Sequence, residues 1–444
     1  MTSTHMTPSS KPTSDVFRTS EVDLLVHSAG QLLTLAGGPQ RGRELGRLAI
    51  IDDGGVAVTG PRIVAVGPSS ELKRRYRPLQ EIDAGGRVVL PGFIDPHTHV
   101  VWSGDRAAEF ELRLQGATYM QIMAAGGGIA STVRQTRQAS VEALMETTRP
   151  RLACMLAHGT TTAEAKSGYG LETGAEIRML DAILRLDAEG PLDLAPTFLG
   201  AHAVPPEYAG RTEAYVDLVC SEMLPAVRAH MATDWPGKPL PFVDVFCEQG
   251  AFDLAQSRRL LKTAAALGFP LKIHADEFVG LGGTGLAIEL GAVSADHLVR
   301  TPPSDIQALG RSQTVAVALP CTPFGLGERE YTPADALLDA GATLALASDL
   351  NPGTAWCESM QFVIALACRA MKLTPAQAIA AATINAAAAI GRQAYVGSLE
   401  VGKQADLLVL DAPDYRHLGY RFGTNLVSLV VKDGRLAHPI WPEG

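Results

Sequence analysis

The run GRVVLPGFIDPHTH, residues 86 to 99, decides the fold. Its apolar stretch reads as a buried strand over 88 to 97, and it ends on two histidines. His97 and His99 are two residues apart, so on an extended chain both imidazoles project to one side and can share an ion. Alone, an H-x-H pair is a weak signal, because surface and structural histidines are common. Its meaning depends on whether other strands of the same chain end the same way.

Seven further runs have that texture: TTTAEAKSG (160 to 168), DLAPTFLGAH (193 to 202), FVDVFCEQ (242 to 249), PLKIHADE (270 to 277), AVSADHL (292 to 298), TVAVALP (314 to 320) and ATLALASD (342 to 349). Between most of them lie amphipathic stretches such as VEALMETTRPRLACMLAHG, AEIRMLDAILRLDAEG, LAQSRRLLKTAAALG and PADALLDAG. Eight strands alternating with helices predict an α/β fold, a (β/α)8 TIM-like barrel, with a doubly wound open sheet as the alternative. In such barrels the reacting groups stand at the C-terminal ends of the strands. Here those ends carry His97 and His99, Lys166, His202, Glu248, His274 with Asp276 and Glu277, Asp296 with His297, and Asp349. Three imidazoles and a carboxylate from His97, His99, His274 and Asp349 make a suitable shell for one divalent zinc or iron ion with room for water. Glu277, three residues beyond His274, is placed to shuttle protons, and His297 reads as a further ligand, a base or a buried structural histidine. Some binuclear barrel hydrolases bridge two metals with a carboxylated lysine on strand four. In this chain the lysine, Lys166, is on strand two and Glu248 stands on strand four, which favours a single metal.

Outside the barrel, residues 23 to 90 and the C-terminal GSLEVGKQADLLVLDAP and LVSLVVKDGRLAH are short β-rich runs, with Asp433-Gly434 a hairpin signal. The expected organisation is a disordered tail over 1 to 20, a small composite β-sandwich domain from 21 to 87 and 393 to 444, and the barrel over 88 to 392. The 444 residues carry 46% hydrophobic and 19% charged side chains, too apolar for a disordered chain. With 38 basic against 47 acidic residues the net charge is −9, which argues against nucleic acid as a partner. Six scattered cysteines without metal-ribbon spacing, no signal-peptide pattern and no apolar run of membrane length point to a cytoplasmic enzyme with a small-molecule substrate. A homodimer stays open.

PGFIDPHTH together with GSLEVGKQADLLVLD resembles the amidohydrolase superfamily of metal-dependent hydrolases across nearly the whole chain. Finer strings, GDRAAEFELRLQGATY (104 to 119), AGGGIASTVRQTR (125 to 137), EAKSGYGLE (164 to 172), TFLGAHAVPPEY (197 to 208), DVFCEQGAF (244 to 252), KIHADEF (272 to 278), SADHL (294 to 298) and ASDLNPGT (347 to 354), are similar to the imidazolonepropionase family within it. That resemblance implies opening of the cyclic amide of 4-imidazolone-5-propanoate to N-formimidoyl-L-glutamate in histidine degradation. It implies metal ligation by His97, His99, His274 and Asp349, and catalytic roles for Glu277, His297 and Asp349. It also implies substrate or product contacts from Arg106, Tyr169, His202, Glu277, Asn351, Gly353 and Thr354. Physically, Arg106 offers a guanidinium fork for the propanoate, and His202 and His297 are candidate donors to an oxyanion. The amides and side chains of Asn351 to Thr354 are candidates for the substrate's other end. Two other readings are a nucleobase deaminase using the same ligand layout and a non-catalytic assembly protein on this fold. The second is disfavoured because no ligand is missing.

Overall fold

A computed structural model of the protein describes residues 20–117, 121 and 127–438. The tail expected over 1 to 20 lies outside the described residues except for Ser20, which opens the first strand. Five strands come before the barrel: β1 Ser20–Leu33, β2 Ile50–Thr59, β3 Arg62–Pro68, β4 Tyr76–Asp83 and β5 Val88–Pro91. The barrel strands are β6 Phe93–Asp95, β7 Thr160–Lys166, β8 Asp193–Ala201, β9 Phe242–Cys247, β10 Lys272–Ala275, β11 Ser294–His297, β12 Val315–Ala318 and β13 Leu344–Leu346. After the barrel come β14 Leu407–Leu410, β15 Val427–Lys432 and β16 Arg435–His438.

The run expected as one strand over 88 to 97 is two strands in two different sheets. Val88–Pro91 pairs with β1 and β14, whereas Phe93–Asp95 pairs with β7. Gly92 makes the crossing, because a Cβ there would stand 2.2 Å from Thr161 Oγ1. Only glycine lets the chain pass that close.

The β-domain is a single paired sheet in the order β16-β15-β14-β5-β1-β2-β3, with β4 on β1. At Ser28, which has a φ of 56°, the pairing of β1 with β2 shifts register. The stretch before it pairs in parallel with β4 and the stretch after it with β5. Through β5 and β14 the two ends of the chain meet, as the similar texture of both ends suggested. The hairpin at Asp433-Gly434 forms with both residues at positive φ and Lys432 paired to Arg435.

The eight barrel strands are parallel and run in sequence order. The seam between β13 and β6 closes just beyond the strand ends, where Asp349 N donates to His97 O at 3.1 Å and His99 N donates to Leu350 O at 2.8 Å. Three candidate ligands therefore sit on the stitch that shuts the barrel. Helices Val141–Ala157, Thr173–Glu189, Leu254–Ala266 and Ala334–Ala340 form where the amphipathic runs predicted them. Among the described residues no helix is long and apolar enough to cross a membrane, and all six cysteines are free.

Beneath the barrel, Ile94, Val315, Val317, Ala345 and Ala347 pack against the Ala-rich segment 384 to 396. Asn385 is a buried polar residue at this end of the barrel. Asn385 donates from Nδ2 to Gln40 O (2.9 Å) and Leu344 O (2.8 Å), and its Oδ1 accepts from Gln40 N (2.7 Å). It ties the N-terminal segment to the barrel, and removing it leaves three buried backbone groups without that partner. Asn385→Ala should cost about 2–4 kcal/mol and lower the urea midpoint; an unchanged midpoint would show that the tie is replaceable.

Candidate active site

The mouth of the barrel gathers the histidines that the strand ends promised. His97, His99, His274, His297 and Asp349 are all buried to 3% exposure or less. Asp349 Oδ1 is 3.5 Å from His97 Nε2 and 3.5 Å from His99 Nε2, and His99 Nε2 is 3.4 Å from His274 Nε2. Donor atoms about 3.4 Å apart match a tetrahedral shell with bonds of about 2.0–2.1 Å. His97 Nε2 is buried with no hydrogen-bond partner, a costly state unless a cation takes its lone pair. His97, His99 and Asp349 form one potential ligand grouping, and His274, 3.4 Å from His99, adjoins it, so these side chains are suited to holding a divalent ion. His297 forms a second potential ligand grouping with His97 and His274.

What orients these rings lies one layer deeper. His97 Nδ1 is 2.6 Å from Asp296 Oδ2, and His274 Nδ1 is 2.9 Å from Asp244 Oδ2, so in each ring Nε2 is the nitrogen left facing the site. Both carboxylates belong to a fully buried ionic array. Lys166 Nζ is 2.7 Å from Asp244 and 2.9 Å from Glu164, while Lys272 Nζ is 3.1 Å from Glu164, 3.5 Å from Asp296 and 2.7 Å from Pro96 O. Burial alone would strip the proton from Lys166, but Asp244, Glu164 and Asp296 outweigh it and hold the ammonium above the ordinary lysine value. The sequence reading weighed Lys166 only as a bridging group and passed over Glu164, Asp244 and Lys272. Their signal was available: charged residues at inward alternate positions of otherwise apolar strands, with Lys272 two before His274 and Glu164 two before Lys166.

Asp349 is held from behind by Thr322 Oγ1, which donates to Oδ2 at 2.5 Å, and its φ is 56°. Burial raises its pKa to about 6. His297 also has positive φ, 80°, and its Nε2 is 3.6 Å from Glu277 Oε2. Burial holds His297 neutral, and burial followed by the charges of Asp349 and Glu248 pushes the Glu277 carboxyl well above its usual range. Asp349 and His297, like Asp276 and Leu298 at the same end of the barrel, are non-glycine residues at positive φ and mark backbone strain maintained by the surrounding packing.

His202 lies stacked on His99 with ring centroids 4.8 Å apart, and Tyr169 is 5.3 Å from His202. His202 Nδ1 donates to Gly168 O at 3.0 Å, and burial lowers its pKa to about 3. The ring is therefore neutral with Nε2 as an acceptor, which does not suit the oxyanion-donor role considered for it. The loop after Asp349 is braced by its own side chains. Asn351 Oδ1 accepts from Gly353 N and Thr354 N, each at 2.8 Å, and Asn351 Nδ2 donates to Asp349 O at 2.7 Å. These bonds shape the loop from within, and Asn351, Gly353 and Thr354 line the cavity above the cluster. Glu248 and Asp276, also noted at strand ends, accept backbone N–H groups from Gln249 and Phe278 and from Gly282 and Gly283 respectively.

A pocket of about 580 Å³ opens over the cluster and is lined by His99, Arg106, Tyr169, His202, Glu277 and His297 among others. Arg106 Nε donates to Glu109 Oε2 at 2.8 Å, and no carboxylate claims its terminal nitrogens among the described residues. Of the sequence-predicted site residues, all but His97 line this cavity, and His97 lies behind it, 3.5 Å from Asp349.

The chain matches the amidohydrolase family over residues 80–179 and 250–437, and an imidazolonepropionase-like composite domain of bacteria over residues 54–77. Similar solved structures include an adenosine deaminase from Xanthomonas campestris with bound zinc (TM-score 0.69, 20% identity, covering 94% of this chain and 93% of that one). Another is the guanine deaminase of E. coli (TM-score 0.70, 15% identity, 93% and 98%). At such identities they show the fold alone. Curated relatives are far more similar. The imidazolonepropionase of Herpetosiphon aurantiacus is 56% identical over 416 residues, 93% of this chain and 97% of that protein; that of Chloroflexus aggregans is 53% identical over 418 residues, 93% and 98%. With identity at this level from end to end, the chain belongs to the imidazolonepropionase family of the amidohydrolases.

Proposed function

We propose that the protein hydrolyses the cyclic amide C–N bond of 4-imidazolone-5-propanoate, giving N-formimidoyl-L-glutamate in histidine degradation. The observation that carries this reading is the end-to-end similarity to imidazolonepropionases, combined with the His97, His99 and Asp349 grouping and the adjoining His274 beneath a pocket that Arg106, Glu277 and His297 line. His97, His99, His274 and Asp349 would hold one divalent ion, zinc or iron. When bound, such an ion supplies Lewis acidity and lowers the pKa of water in its shell toward neutrality.

The chain's own residues account for the rest. Water adds across the ring amide: its hydroxyl goes to the carbonyl carbon and its other proton to the departing ring nitrogen, giving a carboxylic acid whose proton then passes to the basic formimidoyl nitrogen or to solvent, leaving the carboxylate. Glu277 and His297, paired at 3.6 Å beside Asp349, are the groups that take the proton from water and return it to nitrogen. His202 Nε2, an acceptor, receives a ring N–H of the substrate rather than stabilising the oxyanion, and the stacked His99 and nearby Tyr169 hold it in place. Arg106 takes the propanoate with the nitrogens that Glu109 leaves free. Burial of the whole cluster excludes bulk water and strengthens each of these contacts.

Purified protein should consume the imidazolone absorbance and form N-formimidoylglutamate without releasing ammonia from a panel of nucleobases. The opposite pattern would assign a deaminase. Glu277→Gln and His297→Asn should each lower kcat by about 10²–10⁴-fold while bound metal stays near the wild-type level. Loss of metal in either variant would make that residue a ligand instead.

A further inference from the structure

The pocket carries two guanidiniums, and only one has been given a task. Arg106 precedes the helix Ala107–Leu114 and Arg113 lies near its end. Seven residues are two helical turns, so both side chains leave one face of that segment. They converge on the same residue across the cavity. Arg113 Nη2 donates to Gly353 O at 3.1 Å, and a Cβ on Gly353 would stand 2.4 Å from Arg106 Nη1. A side chain at Gly353 would therefore push the Arg106 guanidinium aside, and its absence keeps both cations at one spot.

Charge accounting shows what the second cation does. Of the charged residues that line the cavity, Arg106 and Arg113 face Glu109, Glu248 and Glu328, while burial disfavours the charge of Glu277 and Asp349 belongs to the candidate metal cluster. Arg106 is offset by Glu109, whose other oxygen accepts from Gly128 N. Among the described residues Arg113 has no carboxylate partner; its bond goes to a neutral carbonyl, and its guanidinium lies 5.8 Å from the Phe110 ring centroid. A carboxylate offers about four acceptor positions, and Arg106, with Nε already engaged, cannot fill them. An anion entering this pocket away from the metal cluster meets positive charge without a carboxylate partner at Arg113.

We propose that Arg113 is a specificity-determining residue, the second guanidinium of the subsite that reads the substrate's carboxylate. The proposal rests on the substrate class argued above. The competing role is mechanical: Arg113 bracing the Gly353 loop through its carbonyl. The two roles differ in whether the substrate's charge matters.

The test uses the full-length, metal-loaded protein and compares 4-imidazolone-5-propanoate with its neutral propanamide for wild type, Arg113→Gln, Arg113→Lys and Arg106→Gln. Arg113→Gln should raise KM for the acid by about 10- to 100-fold with kcat within about threefold, and leave KM for the amide within about twofold. Arg113→Lys should recover part of the loss. Equal losses on acid and amide, or an unchanged KM for the acid, would overturn the proposal. Wild-type turnover tests the functional reading separately. Calorimetric binding of 3-(imidazol-4-yl)propanoate and its amide gives the same acid-to-amide comparison without turnover, and equal weakening of both by Arg113→Gln would again overturn it.

Discussion

Two ammoniums and three carboxylates share a floor from which water is excluded, and the site above them depends on how those charges are satisfied. Lys166, Lys272, Glu164, Asp244 and Asp296 have no exposed surface, so each would be prohibitively costly alone. Together they neutralise most of one another, and their leftover acceptors point upward at ring nitrogens: Asp296 at His97 and Asp244 at His274. This fixes which nitrogen of each ring faces the cavity. A loose histidine cluster would repel itself or collapse into mutual hydrogen bonds. A braced one presents lone pairs to a cation.

The barrel's geometry makes the same demand from the side. Its closing seam runs through the backbone of His97, His99 and Asp349, so shutting the barrel and assembling the cluster are one event. Asp349 reaches its position only by taking a positive φ, and His297 does likewise on β11. The Thr322 and Thr332 hydroxyls, which bond Asp349 Oδ2 and His297 O at 2.5 Å each, hold these two strained residues from behind. The β-domain contributes from further away, through the β5 and β14 pairing and the Asn385 tie to Gln40.

Much of this was legible in the chain. Strand ends that terminate in His97-Thr98-His99, His274, His297 and Asp349 announce a barrel and its centre together, because period-two alternation and polar termini are local properties. The division of the 88 to 97 run between two sheets was not legible, since it depends on how closely Gly92 passes Thr161, a tertiary contact. Nor was the pairing inside the Asn351 loop, where a side chain that looks suited to a ligand also bonds its own backbone. The ionic floor was partly visible as charges inside apolar strands. Which lysine met which carboxylate depended on the barrel's register.

X-ray absorption at the metal edge of the purified protein, together with metal analysis, tests the central claim most directly. With Lys166 and Lys272 lying among the carboxylates below the cluster, the account predicts one divalent ion per chain and no neighbouring metal. Two ions per chain with a metal-to-metal distance of about 3.5–4 Å would contradict it, and would mean that Lys166 or Lys272 does not hold the charge assigned to it here.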